Sequence, residues 1–295
     1  MSAAFVVTAV LWGPASAHAQ AWTRDAGSAY ASLSLATTSG DRLFGSDFSI
    51  QDLPTKYSQL QVSAYAEAGI IDRWLTATVN AELFRRNALS GGASVQGIGD
   101  ARVGLWTGLL TAPFRLTFGV NLGLPLGDAD LQVSADGDVD GAAAASLPTG
   151  DGEFDVEPSL LFGYAFGGQS WPLRHFVVAG AGYWLRDGAV IGGVRRSFSD
   201  AFTYRLEVGS QLPGEILGRF WLIVRVSGVE SFASDAETAA SPTGLGNGVT
   251  YTSYGVELSG RIYGGLGASV GFASAFRARG IVAAAPLRFG LSYEL

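Results

Sequence analysis

The chain has 295 residues, a formal net charge of −7 and no cysteine. This length allows one large domain or two small ones. The lack of cysteine excludes disulfides and cysteine-ligated metals, and the acidic balance argues against nucleic acid as a partner, because phosphate binding needs clustered Lys and Arg. Hydrophobic residues make up 48% of the chain, so this apolar surface must either fill a large core or face lipid.

Residues 1–19 are predicted to be a signal peptide. An apolar run over residues 3–12 is followed by small residues, and Ala17-His18-Ala19 has the small-x-small pattern of a cleavage site. The segment lacks the usual basic residue at its start, and the alternative is a buried N-terminal strand. We expect a mature chain that begins near Gln20 and forms a single domain over residues 20–295.

Apolar and polar residues alternate with period two along most of the chain, which is typical of strands with one apolar face. Leu75, Ala77 and Val79, for example, alternate with Thr76 and Thr78. Most alternating segments have the roughly ten residues that a tilted strand needs to cross a bilayer. The pattern predicts about twelve strands, near residues 28–37, 59–69, 74–85, 99–110, 114–125, 154–165, 174–185, 201–212, 219–231, 251–262, 265–277 and 282–294.

The predicted connections alternate in length. Long ones at 38–58, 86–98, 126–153, 186–200 and 232–250 alternate with short ones at 70–73, 111–113, 166–173, 213–218 and 263–264, and only 278–281 breaks the rhythm. Short periplasmic turns and long outer loops are typical of outer-membrane barrels, whereas a soluble β-sandwich has no reason for this alternation. The sequence therefore predicts an all-β fold: a closed antiparallel up-and-down transmembrane β-barrel of about twelve strands in the bacterial outer membrane.

The two faces of the predicted strands differ in composition. The apolar face is expected to meet lipid, because closure of the barrel leaves no unpaired strand edge in hydrocarbon. Aromatic residues near strand ends are predicted to form the interfacial girdles: Trp74, Tyr183, Trp184, Tyr251, Tyr263 and Tyr293. The last strand carries an apolar stripe that ends in Tyr293 and Leu295 and resembles the signature read by the barrel assembly machinery, although the usual final residue is Phe or Trp.

Charged residues of the polar face are predicted to line the lumen, because an Arg at mid-depth on the lipid face would cost about 2–4 kcal/mol. They are Glu67, Glu82, Arg102, Arg115, Glu157, Arg205, Glu207, Arg225, Glu257 and Arg261, together with Arg277 and Arg288. A barrel of this size lies between the filled small barrels and the open porins. We expect a narrow, partly blocked polar passage, in which Arg–carboxylate pairs serve either as braces or as a selective lining.

Catalytic and metal-binding patterns are sparse. His175 is predicted at a periplasmic turn, away from the outer leaflet where a lipid-modifying barrel enzyme would act, so we expect an interfacial residue and no enzyme. Residues 136–141 match the start of a calcium loop, with Asp136, Asp138 and Asp140 as candidate ligands, but position twelve of that loop is Leu147 instead of Glu. The alternative is an acidic solvated loop near the cations that bridge lipopolysaccharide, and no other cofactor is expected.

Two segments resemble known outer-membrane barrels. Residues 67–75, with Gly-Ile-Ile-Asp-Arg at their centre, are similar to a common periplasmic turn. Residues 97–104 resemble the Gly-x-Gly-Asp strand start of barrels in the phenol-degradation (MetA-pathway) family. That resemblance implies outer-membrane transport of aromatic or hydrophobic compounds, and it implies no catalytic or ligand residues.

Two classes of function remain open from the sequence. The first is an outer-membrane channel or transporter for small molecules, with hydrophobic or aromatic ones as candidate substrates. Bulky residues would give it an apolar entry path or would simply pack the loops: Phe44, Phe48, Leu53, Tyr57, Trp106 and Trp221. The second is a structural or adhesive barrel with a plugged lumen that acts through its outer loops.

Overall fold

The computed structural model describes residues 21–91, 94–130, 147–168, 173–238 and 241–295. These residues form strands, turns and two short 3-10 helices, Leu217–Arg219 and Asp235–Glu237. Within them, no helix has the length and apolar character needed to cross a membrane. The predicted signal peptide lies outside the described residues and stays a prediction.

In chain order the strands of the described residues are β1 Ala29–Phe44, β2 Ile50–Ile71, β3 Leu75–Leu89, β4 Ser94–Gly97, β5 Ala101–Leu110, β6 Phe114–Leu124, β7 Asp155–Gly167, β8 Arg174–Arg186, β9 Gly188–Ile191, β10 Val194–Ser197, β11 Ala201–Gln211, β12 Phe220–Ser231, β13 Thr250–Tyr263, β14 Leu266–Arg279, β15 Ile281–Val282 and β16 Leu287–Glu294. Twelve long antiparallel strands form the wall of a closed barrel, in the order β1-β2-β3-β5-β6-β7-β8-β11-β12-β13-β14-β16. The short strands β4, β9, β10 and β15 are additions at the outer end.

The first strand closes the barrel. Leu33 on β1 lies opposite Ala64 on β2 and also opposite Leu291 on β16. Each wall strand therefore has a partner on both sides, and no strand edge is left open to hydrocarbon. This confirms the predicted fold class.

The distribution of apolar side chains is inverted relative to a soluble protein. On β11, Leu206 and Val208 are 47% and 44% exposed, whereas Glu207 between them is 4% exposed. All twelve wall strands carry exposed large apolar side chains, so the outside of the barrel has a continuous apolar band. Such a band is stable only against lipid, and we conclude that the barrel lies in the bacterial outer membrane.

Several strands extend further outward than the alternation predicts. β1 and β2 remain paired as far as Phe44 and Ile50, so the predicted loop 38–58 shrinks to residues 45–49. Similarly, the predicted loop 186–200 contains the hairpin β9–β10. Beyond the hydrocarbon both faces of a strand meet water, and pairing continues there without the apolar alternation that marks a strand in the sequence.

Two of the predicted girdle residues are on the wrong face. Trp74, Tyr183 and Tyr263 are exposed at strand ends, as expected for an interfacial girdle. Tyr251 instead lines an internal cavity, and the Trp184 ring lies 4.8 Å from the guanidinium carbon of the inward-facing Arg102. Proximity to a strand end suggested an interfacial position, but strand parity decides which face a residue occupies.

Candidate functional site

The segment before β1 turns back into the barrel. We call residues 21–28 the N-terminal plug. Ala21 is 1% exposed, and its carbonyl oxygen accepts a hydrogen bond of 2.8 Å from Thr117 Oγ1 on β6. The Trp22 ring packs edge-on against Phe176 of β8, with 6.0 Å between centroids. A Cβ added to Gly163 of β7 would lie 2.9 Å from the Ala21 Cβ, so only glycine allows this close approach.

The plug completes an apolar cluster inside the barrel. Trp22 packs against a buried set formed by Ala21, Trp106, Leu161, Phe176, Val178, Trp221 and Ile223. These inner residues come from β5, β7, β8 and β12. Apolar side chains on the inner face are stable here because they bury one another and the plug, instead of meeting water. Part of the lumen cross-section is therefore filled.

A charged clamp holds the plug at the periplasmic end. Arg24 Nε lies 2.6 Å from Glu67 Oε1 on β2, and Arg24 Nη1 lies 3.4 Å from Glu294 Oε1 on β16. Arg261 Nη2 on β13 lies 2.9 Å from the second Glu294 oxygen. The backbone N–H of Arg73 donates to the Arg24 carbonyl at 3.0 Å. The clamp thus joins strands on both sides of β1 and fixes the plug against the lumen wall.

A chamber of about 320 Å³ adjoins the apolar cluster. Its lining includes Tyr65, Asn80, Arg102, Trp106, Asn121, Glu157, Leu161, Arg205 and Tyr251. Arg102 Nη1 lies 3.0 Å from Glu157 Oε2, and Thr203 Oγ1 donates to Glu157 Oε1 at 2.7 Å. The size and the mixture of rings with a few fixed polar groups suit a small organic molecule.

The predicted lumen residues are distributed over the chamber, its neighbouring ion pairs and the periplasmic end of the barrel. Arg102, Glu157 and Arg205 line it. Arg225 lies 3.3 Å from Glu257 and 3.7 Å from Glu207, and Glu82 lies 2.9 Å from Arg85. Glu67 and Arg261 belong to the periplasmic clamp, Arg115 lies at the periplasmic end of β6, and Arg288 lies on β16.

The prediction for Arg277 was wrong. Its side chain is 45% exposed, forms a 2.7 Å ion pair with Glu230 and lies 4.2 Å from the Phe48 ring centroid. The β13–β14 ladder shifts register between Thr252 and Ser253. Such a bulge adds one residue to a strand and turns the following side chains to the other face.

A second segment closes over the outer end of the barrel. We call residues 147–154 the outer strap. Leu147 is 1% exposed and packs with Tyr57 of β2 and Val282 of β15. Asn87 Nδ2 on β3 donates to the Pro148 carbonyl at 2.6 Å. The strap also reaches β8, on the far side of the barrel from β2, so it spans the outer mouth.

A buried ion pair fastens the strap to β8. The side chains of Arg186 and Glu153 are 2% and 0% exposed, and Arg186 Nε donates to Glu153 Oε1 at 2.5 Å. Arg186 Nη2 also lies 3.3 Å from Asp151 Oδ2. Burial raises the pKa values of Glu153 and Asp151 above their ordinary range, and the Asp100 carboxylate adds to the shift of Asp151, while Arg186 opposes both shifts.

The candidate calcium ligands Asp136, Asp138 and Asp140 lie outside the described residues. Within the described ranges, no group of three or more His, Cys, Asp or Glu side chains is placed to hold a metal ion. His175 is the second residue of β8, at the periplasmic end, where its Nδ1 lies 2.9 Å from Ser210 Oγ and its ring stacks on Phe166. This is the interfacial position that the sequence predicted.

Most residues of the apolar cluster were not predicted from the sequence. Leu161, Phe176, Val178 and Ile223 have inward-facing side chains on strands whose inner face was expected to be polar. A signal for them exists in the sequence: residues 221–224 and 160–162 are apolar without interruption, so both faces of the strand carry large side chains there. Such a run marks a strand buried on two sides.

These features define the class of protein: an integral outer-membrane β-barrel whose lumen holds a chamber between an N-terminal plug and an outer strap. No family model and no curated protein matches the sequence. The fold is similar to that of the COG4313 outer membrane channel from Pseudomonas putida F1, with a TM-score of 0.67 at 12% identity over 93% of this chain and 97% of that chain. This likeness agrees, at the level of the fold, with the weak resemblance to the phenol-degradation family.

Two autotransporter barrels are similar to a lesser degree. The β domain of the Bordetella autotransporter BrkA has a TM-score of 0.50 at 13% identity and covers 91% of this chain and 100% of that chain. The translocator domain of NalP from Neisseria meningitidis has a TM-score of 0.50 at 12% identity and covers 90% and 88%. At such identities these comparisons describe the architecture alone.

Proposed function

We propose that this protein is an outer-membrane channel for small molecules, in which the plug and the strap restrict a narrow passage. The proposal rests on the observation that the lumen is only partly filled. It is neither packed with side chains nor widely open, and it keeps a chamber of about 320 Å³ between two folded-in segments. A barrel that served only as a scaffold would have no need of such a space.

The lining of the chamber favours small aromatic molecules that carry a polar group. Trp106, Tyr65 and Tyr251 offer rings for stacking, and Asn80 and Asn121 offer amides for hydrogen bonds. A phenol-sized molecule fits the volume and can use both kinds of contact. The fold likeness to a channel supports the transport role, and this lining supports the substrate class.

The second candidate is a structural or adhesive barrel. It is favoured by the two closures themselves, since the Arg24 clamp and the Arg186 pair fasten both ends of the lumen. In that case the outer loops would carry the function and the chamber would be a packing defect.

Planar-bilayer recording of the refolded, heat-modifiable protein tests the proposal. We expect small ohmic steps, and we expect phenol to reduce the open-channel current while ethylene glycol at the same concentration leaves it unchanged, because ethylene glycol has no ring to stack on the chamber wall. If correctly folded barrels give no steps, the channel proposal fails and the structural role takes its place. Steps that phenol does not alter would retain the channel and reject the aromatic substrate class.

A further inference from the structure

The two parts of the plug contact opposite sides of the lumen. Ala21 and Trp22 contact Thr117, Gly163 and Phe176, which belong to β6, β7 and β8. Arg24 binds Glu67 on β2 and Glu294 on β16, at the periplasmic end of the barrel. In the ring of twelve wall strands, β8 and β1 are six strands apart in either direction. The wall formed by β1 and its neighbours β2 and β16 is therefore directly opposite the apolar side of the plug.

Around Ser34 this opposite wall is lined by small side chains, whereas Tyr30 and Tyr65 lie nearer its periplasmic end. Ser34 on β1 lies across from Ser63 on β2 and from Gly290 on β16. Gly290 in turn lies across from Ser269 on β14. We call this wall the serine wall. Because these side chains are short, they leave space that the Trp and Phe side chains fill on the other side. The open part of the cross-section is thus expected to run along the serine wall.

Arg288 projects from the serine wall into the lumen. It lies opposite Ala36 on β1 and Gly271 on β14, and its chain neighbours Leu287 and Phe289 are both 48% exposed on the lipid side. The alternation of the strand therefore points Arg288 inward. Although the barrel wall surrounds it, its side chain is exposed, so it faces open space inside the lumen.

The carboxylates near Arg288 are committed to other arginines. The acidic groups that act on it electrostatically are Glu257 and Glu82. Glu257 lies 3.3 Å from Arg225, and Glu82 lies 2.9 Å from Arg85. Within the part of the chain that the structure describes, Arg288 forms no salt bridge of its own. Its charge is therefore available to a solute in the passage.

We propose that Arg288 forms a transit site for small anions, such as chloride and the carboxylates of small organic acids, along the serine wall. A fixed cation beside a narrow path with low-dielectric walls raises the local concentration of anions and repels cations. A guanidinium can also bind a carboxylate through two parallel hydrogen bonds. The inference rests on the proposed channel function and adds a charge preference and the residue that sets it.

The reversal potential in a potassium chloride gradient tests this site. For the wild type we expect the chloride-to-potassium permeability ratio to be above one. It should fall several-fold in Arg288→Gln and drop below one in Arg288→Glu. The matched control is Arg277→Gln, which removes the same charge from an outward-facing side chain and should leave the ratio unchanged. A ratio that is equal in wild type and Arg288→Gln overturns the anion site while the channel stands.

Chloride binding provides a readout that needs no conduction. In chlorine NMR of the detergent-solubilised barrel, we expect excess line broadening by the wild type that decreases in Arg288→Gln and persists in Arg277→Gln. Should the barrel conduct nothing, the proposed function fails, and the line widths alone decide the site. Equal broadening by wild type and Arg288→Gln would then reject the anion site as well.

Discussion

Deleting residues 21–26 from the mature chain is expected to raise the single-channel conductance several-fold. The deletion removes Ala21 and Trp22 from the apolar cluster and Arg24 from the periplasmic clamp, so the cross-section beside β6 to β8 opens. The measurement is planar-bilayer recording of the deletion variant beside the wild type. Heat-modifiable migration in gels confirms that the variant has folded, because the wall strands keep all their partners.

A full-length variant tests whether displacing the plug has the same effect as deleting it. In Gly163→Leu the new side chain would overlap Ala21 and Trp22, whose atoms lie 2.9 and 3.0 Å from an added Cβ. We expect it to displace the plug and to raise the conductance toward that of the deletion. The control is Gly255→Ala on β13, where the nearest atom to an added Cβ is at 3.1 Å and no plug residue is in reach. Unchanged conductance in both the deletion and Gly163→Leu would show that the plug does not obstruct the path.

Replacing Arg186 by methionine is expected to release the outer strap and to lower the free energy of unfolding by about 3–5 kcal/mol, because it leaves a buried carboxylate without its cation. Glu153 is 0% exposed and Asp151 is 13% exposed, so water cannot easily take over the role of Arg186. Urea unfolding in detergent measures the stability. Amide hydrogen exchange at residues 149–151 measures the release of the strap, and we expect exchange there to become faster.

A control variant and a double variant test whether this effect comes from the buried ion pair. Arg195→Met removes an arginine whose pair with Asp187 is exposed, with 71% and 66% of the two side chains accessible. Exposed pairs contribute about 0–1 kcal/mol, so this control should leave both readouts almost unchanged. The double variant Arg186→Met, Glu153→Leu should recover part of the lost stability, because an apolar pair can replace a buried ion pair. If Arg186→Met and Arg195→Met behave alike, the pair does not fasten the strap.

The fold could be predicted because lipid and lumen impose opposite demands on alternate residues. Leu206, Glu207 and Val208 show this within three positions, and a period-two pattern survives any uncertainty about where a strand ends. The face of Arg277 could not be predicted, because a single bulge in β14, which has no signature in the local sequence, turns its side chain outward. Trp184 and Tyr251 were also assigned to the wrong face. Their position near a strand end suggested an interfacial site, whereas the alternation of side chains along the strand directs both of them into the lumen.

The plug and the strap could not be predicted, for a different reason. Neither segment alternates, and each is positioned by partners far away in the sequence. Ala21 is held by Thr117, and Leu147 by Tyr57 and Val282. Contacts of this kind depend on which strands the closed barrel brings face to face, and that arrangement exists only after the wall has formed.

Cysteine accessibility is the most direct test of the proposed aqueous path along the serine wall. The native chain has no cysteine, so Ser34→Cys introduces a single thiol on that wall. Its matched control is Leu35→Cys, the next residue, whose native side chain is 41% exposed on the lipid face. The reading is the single-channel current after a charged, membrane-impermeant thiol reagent is added to either side. We expect the current to be blocked in Ser34→Cys from both sides and unaffected in Leu35→Cys. A thiol at position 34 that cannot be modified from either side, in a barrel that still conducts, would contradict the path.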